Sequence, residues 1–194
     1  FGLAVNRDGT RLATASYDNN CAYSFEIRTG KKLCTFEGKH SAGVWAVAFS
    51  PDGKSLATGA WDSKAMVWDT ETGVWKYTLH GHEARVMGVA YSPDVKGKNG
   101  KYVFSYDIIA TVSFDATVRT WEADTGDPLQ IYAVRDSGFG LNAVAFAPDG
   151  YSIAAASDSG VTSIFSVKHD RVLRGDIVCE LKPPRKKEHG CKAA

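Results

Sequence analysis

Short segments of alternating apolar and polar residues occupy most of the chain, and turns rich in glycine, proline and aspartate separate them. In VWAVAFSPDGKSLATGAWD (residues 44–62), one such segment precedes a Pro-Asp-Gly turn and a second follows it. Alternation with a period of two, in segments rich in β-branched residues, predicts β-strands. No stretch shows the periodicity of an amphipathic helix, so the sequence predicts an all-β fold.

The pattern repeats four times along the chain. The repeated segments are LAVNRDGTRLATASYD, VAFSPDGKSLATGAWD, VAYSPD…IIATVSFD and VAFAPDGYSIAAASD. They end at Asp18, Asp62, Asp115 and Asp158, at intervals of 44, 53 and 43 residues. A third strand, a turn such as TETG and a fourth strand follow each aspartate. Four strands per unit, at a period in the low forties, predict the blades of a β-propeller.

The longer third repeat contains an insertion of 11 residues around VKGKNGKYVFS. It lies between the first two strands of its unit, within about residues 95–105, and it is basic. We expect a mobile excursion there, with a partner contact as the alternative. The predicted units span about 1–38, 39–81, 82–134 and 135–182. The basic segment 183–194 departs from the repeat, and we expect a disordered tail.

Two segments, HSAGVWAVAFSPDGKSLATGAWDSKAMVWDTETG and HGHEARVMGVAYSPD, resemble the repeats of WD-repeat proteins. The resemblance extends over residues 1 to about 182 and implies four-stranded antiparallel blades. Propellers of this family have seven or eight blades, so we expect these four to form part of a larger ring. The ring would be completed within a longer polypeptide or, alternatively, by a second copy of the chain.

The resemblance also implies a buried hydrogen-bonded tetrad in each regular blade: a His before the first strand, a Ser or Thr in the second, an Asp in the next turn and a Trp in the third. The second repeat supplies His40, Thr58, Asp62 and Trp68, and the third supplies His82, Thr111, Asp115 and Trp121. The dipeptides Trp61-Asp62 and Trp68-Asp69 therefore have exchanged roles, because one contributes its Asp and the other its Trp.

The outer repeats depart from this pattern. The first keeps Thr14 and Asp18 but has Phe25 in place of the Trp. The fourth keeps only Asp158, with Ser137, Ala155 and Phe165 at the other three positions. We therefore expect the fourth blade to be the least rigid.

The composition and net charge exclude few classes of protein and give no reason to expect binding to nucleic acid or to a membrane. Charged residues make up 23% of the chain, hydrophobic residues 44%, and the formal net charge is +1, which is typical of a soluble globular protein. The four cysteines lack metal-ligand spacing and suit a reducing compartment, so we expect a cytoplasmic or nuclear protein. No metal site and no cofactor is expected.

Each tetrad resembles a nucleophile–base–orienter triad of a Thr, a His and an Asp. The same arrangement recurs with the blade period, however, and its fourth member is a Trp without a catalytic task. A catalytic site is normally unique in a chain, whereas a packing arrangement repeats. The sequence therefore predicts a protein that is not an enzyme.

Two sets of residues are candidates for partner binding on what the resemblance makes the top face of the propeller. The residues before the tetrad aspartates form the first set: Tyr17, Trp61 and Phe114, with Ser157 in the fourth repeat. Residues near the start of each first strand form the second, around the channel entrance: Phe1, Trp45, Met87 and Asn142. Arg85 and Arg135 lie in loops near this face, where we expect them to be solvated, with a positive charge at the rim of the face as the alternative.

These features predict a scaffold that binds a protein or peptide through its top-face aromatic residues, as a subunit of a multiprotein complex. One alternative is a nucleic-acid-associated factor, in ribosome assembly or chromatin, that uses the basic tail and loop. Another is a regulatory or sensor domain of a larger enzyme. No membrane association is expected.

Overall fold

The computed structural model describes residues 1–94, 108–134, 140–167 and 177–181. These residues form sixteen β-strands, and no helix occurs among them. The predicted insertion, Arg135, Ser137 and the tail 183–194 lie outside the described residues.

The strands form four separate sheets. The first contains β1 (Leu3–Val5), β2 (Arg11–Ser16), β3 (Cys21–Glu26) and β4 (Lys32–Phe36). The second contains β5 (Val44–Phe49), β6 (Ser55–Ala60), β7 (Ala65–Asp69) and β8 (Trp75–Leu79). The third contains β9 (Val86–Tyr91), β10 (Ile108–Ser113), β11 (Thr117–Glu122) and β12 (Pro128–Ala133). The fourth contains β13 (Leu141–Phe146), β14 (Ser152–Ser157), β15 (Thr162–Ser166) and β16 (Ile177–Leu181).

In every sheet the four strands pair in chain order, and each pair is antiparallel. The all-β prediction of four four-stranded blades is therefore confirmed. Five residues join the first strand to the second in three blades, at 6–10, 50–54 and 147–151. In the third blade sixteen residues, 92–107, make the same connection.

Successive blades pack face to face through their inner strands, in the order β1, β5, β9 and β13. One apolar cluster lies between the first and second blades, where the rings of Phe36 and Trp68 meet in a T-shaped arrangement at a centroid distance of 6.1 Å. Two further clusters join the second blade to the third and the third to the fourth. Each fully buried side chain of this size stabilises the packing by about 1.5–3 kcal/mol.

Two sheet faces remain uncovered among the described residues. On the first blade, Leu3 and Val5 point away from the second blade and are 66% and 50% exposed. On the fourth blade, Ala143 and Ala145 alternate with half-buried neighbours and are also exposed. The four blades thus form an arc, a partial propeller with one free face at each end.

Candidate functional site

The second blade holds a buried chain of hydrogen bonds. His40 lies before β5, Thr58 in β6, Asp62 in the turn after β6, and Trp68 in β7. His40 Nδ1 lies 2.9 Å from Asp62 Oδ2, His40 Nε2 lies 2.8 Å from Thr58 Oγ1, and Trp68 Nε1 donates to Thr58 Oγ1 at 2.9 Å. Because a carboxylate only accepts, His40 Nδ1 carries a proton.

The third blade repeats this geometry. His82 Nδ1 lies 2.8 Å from Asp115 Oδ2, and His82 Nε2 lies 2.7 Å from Thr111 Oγ1. Trp121 Nε1 donates to the same hydroxyl at 2.9 Å. Thr117 adds a bond of 2.6 Å from its hydroxyl to Asp115 Oδ1. The described residues thus bring both predicted sets of four side chains together.

Both aspartates of these networks are held in the charged form. Burial alone would raise the pKa of Asp62, but the hydrogen bond and charge of His40, with the backbone N–H groups of Ser41 and Lys64, lower it below its usual value. Burial opposes ionisation at Asp115 in the same way, but His82, Thr117 and the backbone N–H of Glu83 outweigh it and hold the pKa of Asp115 well below its usual value. Each carboxylate is therefore a fixed acceptor.

The second-blade network also fixes the turn that carries Trp61. Asp62 Oδ2 accepts from Ser41 N at 3.0 Å, and Asp62 Oδ1 accepts from Lys64 N at 3.1 Å. The backbone N–H of Trp61 donates to Gly43 O at 3.0 Å. The loop before β5 and the turn after β6 are thus tied at one edge of the sheet. We call the surface formed by these loops and turns, in the blades where the structure describes them, the top face.

The outer blades lack such a network among the described residues. Asp18 is exposed, with no hydrogen-bond partner among them. In the fourth blade the side-chain amide of Asn142 donates to Asp158. Phe165, at the position of the tetrad tryptophan, is fully buried, and its ring lies tilted against that of Tyr132 of the third blade at a centroid distance of 5.0 Å.

Four aromatic rings form one cluster across the top face of the first two blades. The rings of Phe1 and Trp45 are stacked at 4.3 Å, and those of Trp45 and Trp61 at 5.5 Å. Tyr17 meets the Trp61 ring edge-on at 4.8 Å and the Phe1 ring at 5.9 Å. We call Phe1, Tyr17, Trp45 and Trp61 the aromatic cluster.

Bulges in the first strands direct the channel-entrance residues. The register between the first two strands shifts at Trp45, at Met87 and at Asn142, so each is the extra residue of its strand. A bulge re-aims the side chain that it carries. The three side chains nevertheless differ in how far a partner could reach them. Trp45 is half-buried in the aromatic cluster, Met87 is only 6% exposed, and Asn142 is hydrogen-bonded to Asp158.

The candidate residues before the tetrad aspartates lean on the next blade. The Tyr17 ring covers Gly43, and the Phe114 ring covers Gly140. Both rings are still 37% exposed. Phe114 has no ring contact with the aromatic cluster among the described residues, and Ser157 is buried, so the structure joins Tyr17 and Trp61 but not Phe114.

Arg85 makes a contact that the sequence did not reveal. Its guanidinium carbon lies 3.7 Å from the centroid of the Trp61 ring, and the residue is exposed. The sequence does hold a signal for this contact. Arg85 stands directly before β9, where Gly43 and Gly140 stand directly before β5 and β13. In the second blade the aromatic residue therefore meets an arginine instead of a glycine.

Other chemistry is not visible in the part of the chain that the structure describes. No group of three or more His, Cys, Asp or Glu side chains lies close enough together there to hold a metal ion. No helix in those ranges is long and apolar enough to cross a membrane.

Comparisons with known proteins agree with the geometry. The family model described as WD domain, G-beta repeat, matches residues 30–69 and 73–122. The chain is 30% identical to a periodic tryptophan protein 2 homolog of Dictyostelium discoideum over 184 residues, 92% of the chain and 19% of that protein. It is 31% identical over 185 residues to a guanine nucleotide-binding protein subunit beta of Arabidopsis thaliana, 91% of the chain and 45% of that protein.

A shorter match covers 80 residues of ribosome assembly protein 4 of Chaetomium thermophilum, at 39% identity, 41% of the chain and 14% of that protein. The chain thus spans less than half the length of each of these three relatives.

Proposed function

The chain belongs to the WD-repeat family of β-propellers, and from this premise we propose that it is a non-catalytic scaffold that binds a protein or peptide on its top face. WD-repeat proteins in general act as platforms for protein interaction. The binding residues in this proposal are Tyr17, Trp61 and Phe114, with Phe1 and Trp45 beside them. Met87 and Asn142 would shape the entrance from beneath.

The observation that carries the proposal is the aromatic cluster. Its rings span two blades and still expose part of their surface, with Phe1 at 78% and Tyr17 at 37%. Large rings with few rotatable bonds are frequent anchors of protein interfaces. The Trp61 turn is held from below by the Asp62 hydrogen bonds, so this anchor would lose little conformational entropy on binding.

The test is affinity capture followed by mass spectrometry with the intact chain and with the variant Tyr17→Ser, Trp61→Ser and Phe114→Ser. A matched control changes three exposed apolar residues of the outer strands, which are the fourth strands of the blades: Leu33→Ser in β4, Trp75→Ser in β8 and Ile131→Ser in β12. Circular dichroism and urea unfolding first establish that all three proteins are folded.

We expect the intact chain and the outer-strand control to capture the same defined partner and the top-face variant to lose it. Capture that survives in the top-face variant would refute the proposed site. Capture that is lost equally in the control would show that the partner depends on exposed apolar surface in general and not on the top-face residues.

A second candidate is an assembly factor that contacts nucleic acid. The observation in its favour is the match to a relative whose name describes ribosome assembly. The basic tail and loop proposed for this role are outside the described residues. Binding to RNA that weakens steeply with salt and is lost on removing residues 183–194 would support it, and weak salt dependence would count against it.

A further inference from the structure

We propose that Arg85 is the residue of the top face that binds a charged group of the partner, and that this group is the carboxylate of an Asp or Glu in the partner segment. The inference rests on the proposed function and names the chemistry of its partner. It depends on the contact between Arg85 and Trp61.

The guanidinium of Arg85 is held in place but is not neutralised. It lies over the Trp61 ring at 3.7 Å, and the side chain is exposed. In the described part of the chain the ion pairs join other residues, and no carboxylate pairs with Arg85. The carboxyl groups of the two tetrads are occupied by His40 and His82.

Stacking on an aromatic ring uses the face of a guanidinium and leaves its N–H edge available. That edge is a planar fork that matches the two oxygens of a carboxylate. An arginine already held against a ring loses less freedom when it binds than one that is free in solvent. Arg85 is thus prepared to bind an anionic group beside an apolar surface.

Trp61 provides a second, independent observation. Its indole N–H is shielded from solvent and has no acceptor among the described residues. Unpaired buried donors are rare in native structures, because each loses its hydrogen bond to water. The contact between Arg85 and Trp61 therefore brings together two hydrogen-bond donor groups and no acceptor, and a ligand carboxylate would supply acceptors to the exposed guanidinium.

A peptide carboxylate fits this site better than a nucleic-acid backbone. A phosphate backbone is bound by several cations placed along its path. Arg85 is the one cation in ring contact with the aromatic cluster among the described residues. A single guanidinium beside four rings matches an acidic side chain flanked by apolar residues.

The experiment selects twelve-residue peptides displayed on phage against the full chain and then measures synthetic peptides by fluorescence anisotropy. Each selected peptide is compared with a partner in which its Asp and Glu residues are replaced by Asn and Gln. The protein variants are Arg85→Gln, Arg85→Lys and, as a matched control, Arg28→Gln, which removes the same charge from an exposed turn. Circular dichroism checks that each variant is folded.

We expect acidic residues to be enriched, and Arg85→Gln to weaken binding about tenfold. Arg85→Lys should recover only part of the affinity, because lysine keeps the charge and loses the fork. Arg28→Gln should bind like the intact chain. The neutral peptides should bind the intact chain and Arg85→Gln with similar affinity.

The failures of the two proposals are distinguishable. Peptides that need Tyr17, Trp61 and Phe114 but bind Arg85→Gln unchanged would overturn the role of Arg85 and leave the top-face site standing. Enrichment of basic or neutral peptides would overturn it as well. Peptides that bind the triple aromatic variant unchanged, or a selection that yields no peptide, would overturn the proposed function and this inference together. Single-stranded RNA is measured in the same anisotropy assay, and RNA that binds the intact chain but loses affinity in Arg85→Gln would overturn the choice of a peptide.

Discussion

The ring of Tyr17 occupies the space that a side chain at residue 43 would need. A Cβ built on Gly43 would lie 2.2 Å from Tyr17 Cδ2, closer than any real contact. The backbone at Gly43 is outside the left-handed region, so the ring, and not the backbone angle, is what favours glycine there. The same relationship joins Phe114 to Gly140, at 2.1 Å. Each ring therefore connects one blade to the next as well as facing solvent.

We predict that Gly43→Ala lowers the free energy of unfolding by about 1–3 kcal/mol, because the added methyl group must displace Tyr17. In a Tyr17→Ala background the obstacle is gone, and the same substitution should cost much less. Urea unfolding of the two single variants and the double variant measures this coupling. An equal cost in both backgrounds would show that the ring is not the constraint.

The two Trp-Asp dipeptides should respond differently to the same substitution. Asp62→Asn removes the carboxylate that accepts from His40 and Ser41, and we predict a loss of about 1–3 kcal/mol of unfolding free energy. Asp69→Asn is the matched control. Asp69 accepts from Glu71 N and from Thr72 at an exposed turn, and an asparagine oxygen can replace it there.

Thermal and urea unfolding of both variants test this difference. Similar losses for Asp62→Asn and Asp69→Asn would contradict the assignment of Asp62 to the buried network.

Stability should fall in acid because Asp62 and Asp115 have lowered pKa values in the folded protein. Their contribution is complete above the unfolded pKa of about 4 and is lost as the pH falls below it toward the folded pKa. Urea unfolding at pH 6, 4 and 3 measures the decrease. In Asp115→Asn the decrease between pH 6 and pH 3 should be smaller than in the intact chain. A decrease of the same size would show that Asp115 is not responsible.

A second connection between blades lies on the outer strands. The Cys34 thiol of β4 lies 3.4 Å from the carbonyl oxygen of Thr70 in the second blade. Tyr77, at the corresponding position of β8, donates its hydroxyl to the carbonyl of Ala123 in the third blade. Both side chains reach the turn after the third strand of the next blade. The outer edges of these blades are thus tied together as the inner strands are.

Burial, together with the charge of Asp124, raises the pKa of Tyr77 to about 12, and burial raises the pKa of Tyr132 to about 12. We predict that, in an ultraviolet titration of the folded protein, Tyr77 and Tyr132 are still largely protonated at pH 11, so part of the absorbance change of the tyrosines has not yet occurred. The folded protein should lose stability above about pH 10, where the unfolded chain releases these protons first.

Tyr77→Phe should remove one of the late-titrating groups. It should also lower the unfolding free energy by about 1 kcal/mol, since the Ala123 carbonyl loses its donor. Complete ionisation of the folded intact chain by pH 11 would contradict this environment for Tyr77.

The strands and the blade repeat follow from patterns in the sequence alone: alternation along a strand, turns of glycine, proline and aspartate, and a regular spacing of the repeats. The resemblance to WD-repeat proteins implied which residues form the tetrads. The resemblance also implied that Tyr17 and Trp45 are surface aromatics, because their positions in the repeat lie on the top face of WD-repeat propellers. Phe114 has the corresponding position in the third blade. Among the described residues it makes no ring contact with the aromatic cluster, because the rings of that cluster belong to the first two blades and the Phe114 ring packs on Gly140 of the fourth.

The tertiary structure alone decided which side chains meet across blades. Met87 is buried rather than open at the entrance, and Arg85 lies on Trp61 rather than free in solvent. These outcomes depend on bulges in the first strands and on contacts between residues 24 to 44 positions apart, such as Arg85 with Trp61 and Tyr17 with Trp61. Strand periodicity is a local property and specifies which face a side chain is on. The packing of one twisted blade on the next determines what that side chain touches.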